Sequence, residues 1–345
     1  MRGTAGPINR AMLMRQSLRL FSAPAVSLTK KHAAGLDSSS SWPAGFTTAD
    51  IGPCGTLRGA SALRLFDVPC VKRIPGVMSA VEAAKGEDAG AGKVASAKID
   101  AFCVGQSFNI RSQADMKAPV AGRLLVEGYS KSSVRFLGVV TQPESMDAHG
   151  EYAEHDEHAE RVVAVCRRTF VRVKTRDGKT TSAPYTEEER AVLEADVATT
   201  GRIIERFVAS VPDGAAFLTD SFPGDADAAT VPQETLEALE AIFTQRVLPH
   251  HMNVGGHIDH GYLTDMAHDA AVLARMQEGG SSKAATCGRV SFMNAGALGD
   301  EVQCLAYSGV PGVSHGTGAV SSIQLESGGA QEGNARELCR AVWAW

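Results

Sequence analysis

The order of hydrophobic and polar positions along the chain runs through the same series of patterns twice. Phe46 to Ile51 alternates polar and apolar residues as a short strand does, and Gly52, Pro53 and Gly55 mark a turn. Leu57, Leu63, Phe66, Val68 and Val71 then fall on one helical face. Beyond a Gly/Ala/Lys-rich stretch from Ala83 to Lys98, three long segments carry strand character: Ala101 to Ile110, Arg123 to Val140 and Arg161 to Lys174. Thr186 with Glu189 has the form of a helix capping box and predicts a helix through about Ala209. The first pattern then returns. Ala241 to Val247 reads as a strand and Leu248 to Gly256 as a loop. His257 to Met276 reads as a helix with Ile258, Leu263, Met266, Ala270, Leu273 and Met276 at its apolar positions. Gly288 to Met293, Asp300 to Tyr307, Ala319 to Glu326 and Arg336 to Trp345 supply the strands that follow. A single long apolar helix needs a concave sheet to bury it, so each series predicts a curled antiparallel sheet wrapped around a helix. The expected class is α+β with two such units in tandem. The first covers 44–177 and the second 236–345, with a helical connection over 178–235.

Composition agrees with two globular units. The chain has 345 residues, 44% hydrophobic and 21% charged, and no apolar run long enough for a bilayer-spanning helix. A formal net charge of -5 gives no general attraction to phosphate backbones, so nucleic acid is not an expected partner outside an assembly such as the mitoribosome. Arg2, Arg10, Arg15, Arg19, Lys30 and Lys31 all precede the first acid, Asp37, and Met12 to Ser22 is amphipathic. Residues 1–36 therefore read as a mitochondrial transit peptide, which points to the matrix. The seven cysteines are scattered through apolar runs with no C-x-x-C pair, the pattern of reduced core thiols. His149, Glu151, His155 and His158 occupy an acidic, solvated loop, and the glycine-rich run from Gly312 to Gly318 lacks the lysine of a phosphate loop. No metal or cofactor is expected.

The stretch His251-Met-Asn-Val-Gly-Gly-His-Ile-Asp-His-Gly-Tyr-Leu263 resembles the Asp-Met-Asn-Tyr-Gly-Gly-His-Leu-x-Asn pattern of the hotdog thioesterase superfamily, where it leads into the central helix. Val290-Ser-Phe-Met-Asn-Ala-Gly-Ala-Leu-Gly-Asp-Glu-Val-Gln-Cys304 is similar to the strand, turn and Gly-Asp-Glu opening of the next strand. Asp50 to Arg58, Leu63 to Asp67 and Arg167 to Val173 are looser matches to the first unit of two-hotdog acyl-carrier-protein thioesterases. The resemblance implies a tandem hotdog fold and hydrolysis of fatty acyl thioesters carried on acyl carrier protein or coenzyme A. It also implies roles for Asn253 and His257. A chain with two hotdogs already contains one pseudo-dimer, so a homodimer is optional.

Thioester hydrolysis needs a polarised carbonyl and an activated water. Gly255 and Gly256 lead into the expected helix start, where unpaired N–H groups and the helix dipole can hold an oxyanion. Asn253 can orient a water, with His257 or Asp259 as base. The chain departs from the plant-type pattern by placing His251 and Asn294 where that pattern has acids or a cysteine. Either Asp259, Asp265 or Asp269 takes the acidic role, or the chain is a silent double hotdog serving as a structural or binding subunit. A start at Gly55 to Ser61 has no accompanying His or Asn, so the first unit reads as the non-catalytic partner.

Overall fold

The computed structural model describes residues 27–28, 43–44, 46, 50–51, 57–77, 98–116, 118–143, 160–176, 179–210, 231–253, 256–310, 318–325 and 336–345. In chain order the strands and helices are β1 (Ser27–Leu28), β2 (Pro43–Ala44), α1 (Gly59–Arg64), α2 (Asp67–Lys72), β3 (Lys98–Ile110), β4 (Val120–Tyr129), β5 (Ser133–Pro143), β6 (Glu160–Arg176), β7 (Lys179–Ser182) and α3 (Glu187–Ser210). There follow α4 (Gln233–Glu237), β8 (Glu240–Arg246), a 3-10 turn (Pro249–His251), α5 (His260–Gln277), β9 (Cys287–Phe292), β10 (Glu301–Val310), β11 (Gly318–Leu325) and β12 (Arg336–Ala344).

All these strands join one antiparallel sheet whose order is β2-β4-β5-β6-β3-β9-β12-β11-β10-β8, with β1 and β7 also paired to β6. Read outward from the middle, the two halves have the same order: second strand, then fifth, fourth, third and first. This is the double hotdog, two curled sheets each with its helical segment, joined edge to edge where β3 runs antiparallel to β9. At that seam Gly105 faces Ser291, Gln106 faces Val290, Phe108 faces Gly288 and Asn109 faces Cys287. One apolar core runs through both halves, from Leu63, Phe66 and Phe108 to Met266, Val302 and Trp343. Cys70, Cys103, Cys166, Cys304 and Cys339 are buried in it as free thiols, and Cys287 is buried in a smaller cluster with Val320, Val342 and Ala344; Cys54 lies outside the described residues.

The local departures from the sequence pattern have physical causes. The single first helix is broken into α1 and α2, because Pro69 cannot donate a backbone hydrogen bond and its ring would clash with the carbonyl of Leu65. The long strand expected over Arg123 to Val140 is a hairpin; Ser130 N–H donates to Ser133 O at 2.8 Å, and Ser130 Oγ accepts from Ser133 N–H at 3.2 Å. The capping box forms as the pattern requires, with Thr186 N–H donating to Glu189 Oε2 at 2.8 Å and Glu189 N–H to Thr186 Oγ1 at 3.2 Å. Glu189 also takes Arg172 at 2.7 Å, and Asp196 takes Arg73 at 3.2 Å. These two ion pairs hold α3 against the first half while Leu193 is buried beneath it. Ser27–Leu28, inside the stretch read as a transit peptide, pair with the start of β6. The acidic loop around His149 to His158 and all of the Gly312 to Gly318 run except Gly318 lie outside the described residues.

Phe108 fixes the seam. Its ring packs at 6.1 Å from that of Trp343, and it fits only because two of its neighbours lack side chains. A Cβ on Gly288 would come within 2.6 Å of both rings, and one on Gly59 within 2.1 Å of the Phe108 ring. Gly288→Ala is therefore expected to destabilise the chain by about 1–3 kcal/mol through overpacking, and Phe108→Ala by roughly 3–5 kcal/mol through cavity formation. Urea unfolding followed by tryptophan fluorescence measures both.

Candidate active site at the seam

The loop that carried the resemblance folds back on itself. Asn253 N–H donates to His257 O at 2.8 Å, Gly256 N–H to Asn253 O at 3.1 Å, and His257 N–H to Asn253 Oδ1 at 3.2 Å. Met252 and Ile258 form an antiparallel bridge across the base of this turn. Gly256 sits at its tip with φ +78°, a conformation that favours glycine; Gly255 lies outside the described residues. Because Met252, Asn253, Gly256, His257 and Ile258 are engaged in the turn, the helix starts at His260, three residues after the expected His257.

The first turn of α5 is built by Asp259. It is the N-cap, its Oδ1 accepting from Tyr262 N–H at 3.2 Å and its carbonyl from Leu263 N–H at 3.0 Å. The N–H groups of His260 and Gly261 find no acceptor among the described residues, since the first amides of a helix have no intrahelical partner. These two amides are the donors that the helix start offers, whereas the Gly256 amide is spent within the turn. Gly261 is buried, and a Cβ there would lie 2.8 Å from Arg64 Nε and 2.9 Å from Asp259 Oδ1. Its lack of a side chain lets α1 of the first half close on the helix start of the second. Arg64 also pairs with Asp265 at 2.6 Å, and Arg58 reaches Asp269 at 3.7 Å. Asp265 and Asp269 thus tie the two helices together. Burial pushes the Asp265 carboxyl up from its ordinary range, against the pull of Arg64.

His251, where the plant-type pattern has an acid, closes the preceding turn. Its Nδ1 accepts from Leu248 N–H at 3.1 Å and its ring stacks on Tyr262 at 3.7 Å, in a site only 1% exposed. Asn294 is exposed and donates from Nδ2 to Glu337 O at 2.7 Å, joining the end of β9 to β12. The structure brings Asn253, His257 and Asp259 into one short loop, while the Asn294 amide is engaged elsewhere.

Across the seam stands β3. Phe102 meets the edge of the His257 ring at 5.5 Å, and the Gln106 amide donates to Thr264 Oγ1, which itself donates to His260 O at 2.8 Å. Cys103 is also turned to this side, close enough to Asp259 for its charge to act on the thiol; burial, the larger cause, pushes that thiol up to about 12. A bulge makes this face. Register shifts between Cys103 and Gly105, so Val104 is extra and Cys103 and Gln106, three apart, are both buried. Opposite Gln106 on the other neighbour, β6, is Arg168, 3% exposed, which donates to Leu63 O at 3.3 Å and to Asp67 Oδ1. Burial pushes Arg168 down to about 10, while the charge of Asp259 pulls the other way.

Gln106, Arg168, Thr264 and the His260 and Gly261 amides were not singled out from the sequence. Arg168 did leave a trace: Cys166, Arg168, Phe170 and Arg172 are alternate residues on a strand, all buried, and two are arginines. Gln106 left none, because its direction depends on the bulge.

No protein-family model and no curated protein matches the sequence. Among solved structures the chain is similar to the 12:0-ACP thioesterase from Umbellularia californica, with a TM-score of 0.53 and 9% identity over 89% of this chain and 96% of that one. A putative oleoyl thioesterase from Lactobacillus plantarum gives 0.52 and 10% over 94% and 97%. An acyl-ACP thioesterase from Bacteroides thetaiotaomicron gives 0.51 and 9% over 88% and 96%. These likenesses extend over nearly the full length and establish the double-hotdog fold.

The environment of His260 makes stability depend on pH. Burial first, then the charge of Arg168, push its imidazole down to about 4 from an ordinary 6.5; Asp259 opposes this and His257 adds to it. Between these values the unfolded chain binds the proton that the folded chain refuses. The contribution is whole above pH 6.5 and is lost as pH falls toward 4. Wild type should therefore lose up to roughly 3 kcal/mol more than His260→Gln between pH 7 and pH 4. Urea unfolding of both proteins at the two pH values reads this difference; parallel losses would show that His260 is not the group responsible.

Proposed function

We propose that the chain hydrolyses fatty acyl thioesters at the start of α5, on acyl carrier protein or coenzyme A, in the mitochondrial matrix. The observation that carries this reading is the pair of amides, His260 and Gly261, that find no acceptor among the described residues at the start of an 18-residue helix lying against the other half of the fold. Such amides are fixed donors for the charge that develops on a thioester oxygen. The similarity in fold to proteins named as acyl-ACP and oleoyl thioesterases supports the substrate class, and the acid-free, arginine-containing first 36 residues support the compartment.

In this reading the thioester carbonyl oxygen faces the His260 and Gly261 amides. Water oxygen bonds to the carbonyl carbon and gives one proton to the His257 imidazole, while the carbonyl π pair moves onto oxygen. When that pair returns, the C–S bond breaks and the thiolate takes the proton from His257, leaving a carboxylic acid and a thiol. Asn253 positions His257 through its backbone, and Asp259 holds the helix start open as its cap. No step calls for a metal or redox cofactor.

A second reading, a catalytically silent subunit of a mitochondrial assembly such as the mitoribosome, has its own observation. Asn253, Asp259 and Asn294 all use their side chains on backbone groups of the same chain. Turnover of a panel of acyl-coenzyme A and acyl-carrier-protein esters decides between them. The proposal expects hydrolysis well above the uncatalysed background, lowered about a hundredfold or more in folded His257→Ala. Asn253→Ala should lower it as well, by releasing the turn. Background rates with every ester would leave the structural reading in its place.

A further inference from the structure

Two buried polar atoms near the start of α5 have no hydrogen-bond partner among the described residues, and they are of opposite kinds. Gln106 Oε1 is an acceptor and Arg168 Nε a donor; their residues are 4% and 3% exposed and sit directly opposite each other on β3 and β6. The orientation of the Gln106 amide is set by chemistry. Thr264 Oγ1 gives its one hydrogen to His260 O at 2.8 Å, so toward Gln106 it can only accept. The Gln106 NH2 must therefore face Thr264, and Oε1 must face away from it. Arg168 is likewise held by Asp67 and Leu63 O through its terminal nitrogen, which leaves Nε turned elsewhere.

A buried donor and a buried acceptor left unmade are each destabilising. Gln106 and Arg168 face each other on neighbouring strands, so their side chains lie side by side, and one water satisfies both atoms by accepting from one and donating to the other. Thr264 lies one helical turn from His260, on the same face, so this place adjoins the unengaged amides.

We propose that Gln106 Oε1 and Arg168 Nε hold the hydrolytic water, making the first half of the chain a contributor of catalytic residues. This rests on the thioesterase reading above. The water accepts from Arg168 Nε–H and donates one hydrogen to Gln106 Oε1. Its other hydrogen goes to His257, and its remaining lone pair forms the bond to the thioester carbon. The atoms and electrons are those of the hydrolysis already described; the two residues orient the nucleophile and remain unchanged.

The test uses the full chain and the coenzyme A ester that the wild type turns over fastest, with the matching non-hydrolysable thioether as a binding probe. Gln106→Met keeps the volume of the side chain and removes the acceptor. It should lower kcat about a hundredfold while the Kd of the thioether stays within about threefold. Thr264→Val removes the bond between β3 and α5 but keeps Gln106 Oε1, and should lower kcat by no more than about tenfold. Arg168→Lys keeps the charge beside Asp67 and lacks the Nε–H. It should behave as Gln106→Met does, and it stands in if that variant does not fold. A wild type active on the panel whose Gln106→Met and Arg168→Lys forms retain kcat within threefold overturns this inference and leaves the thioesterase reading intact. Equal losses in Gln106→Met and Thr264→Val also overturn it, reducing Gln106 to a tether. A wild type inert toward every ester removes both proposals together.

Discussion

The pairing of β3 with β9 is the interaction on which the rest of the structure depends. Each half alone would end in an open strand with a row of unpaired backbone groups, a feature that folded proteins rarely leave exposed. Joining the two edges satisfies those groups and makes one continuous core. The same joint decides the chemistry on offer, because the start of α5 belongs to the second half, while Phe102, Cys103 and Gln106 approach it from the first. Phe108, seated over Gly59 and Gly288, sets how closely the halves approach.

Charge at this joint is arranged in pairs. Arg168 meets Asp67, Arg64 meets Asp265, and Asp259 lies close to both the helix amides and Arg168. Buried ions are tolerated when paired and hydrogen-bonded, and removing one partner is far more damaging than replacing both. The network therefore tolerates loss of a whole pair better than loss of one partner.

Much of the architecture was legible in the residues. Strand, loop, helix and a run of strands, met twice, led to two curled sheets, and Thr186 with Glu189 marked the start of α3. What escaped the pattern was settled by single residues acting on the backbone. Pro69 splits the first helix, and Ser130 turns one apparent strand into two. Asn253 closes a turn that delays α5. The buried stripe of α5 runs through Leu263, Met266, Ala267, Ala270, Ala271 and Ala274, small alanines included, and leaves Leu273 and Met276 off it, exposed at 41% and 46%. The candidate site was read from the sequence as a loop, Asn253 to Asp259, and not as a seam. Gln106 looks like one more polar residue of an alternating strand until the extra Val104 turns it inward, and a bulge has no fixed residue signature when no glycine marks it.

The break between α1 and α2 has a consequence for symmetry. In a pair of identical hotdogs, every residue at the joint occurs twice, and each substitution is made at two places that must both tolerate it. Here α1 and α2 have six residues each and no counterpart to the long helix start of α5. The two ends of the joint are no longer equivalent, and a ligand held at the start of α5 would bind with a stoichiometry of one per chain. Each side of the fold can then change without copying the change across the axis, so a β3 shaped by its bulge and a β9 shaped by Gly288 can diverge while still sharing one row of hydrogen bonds.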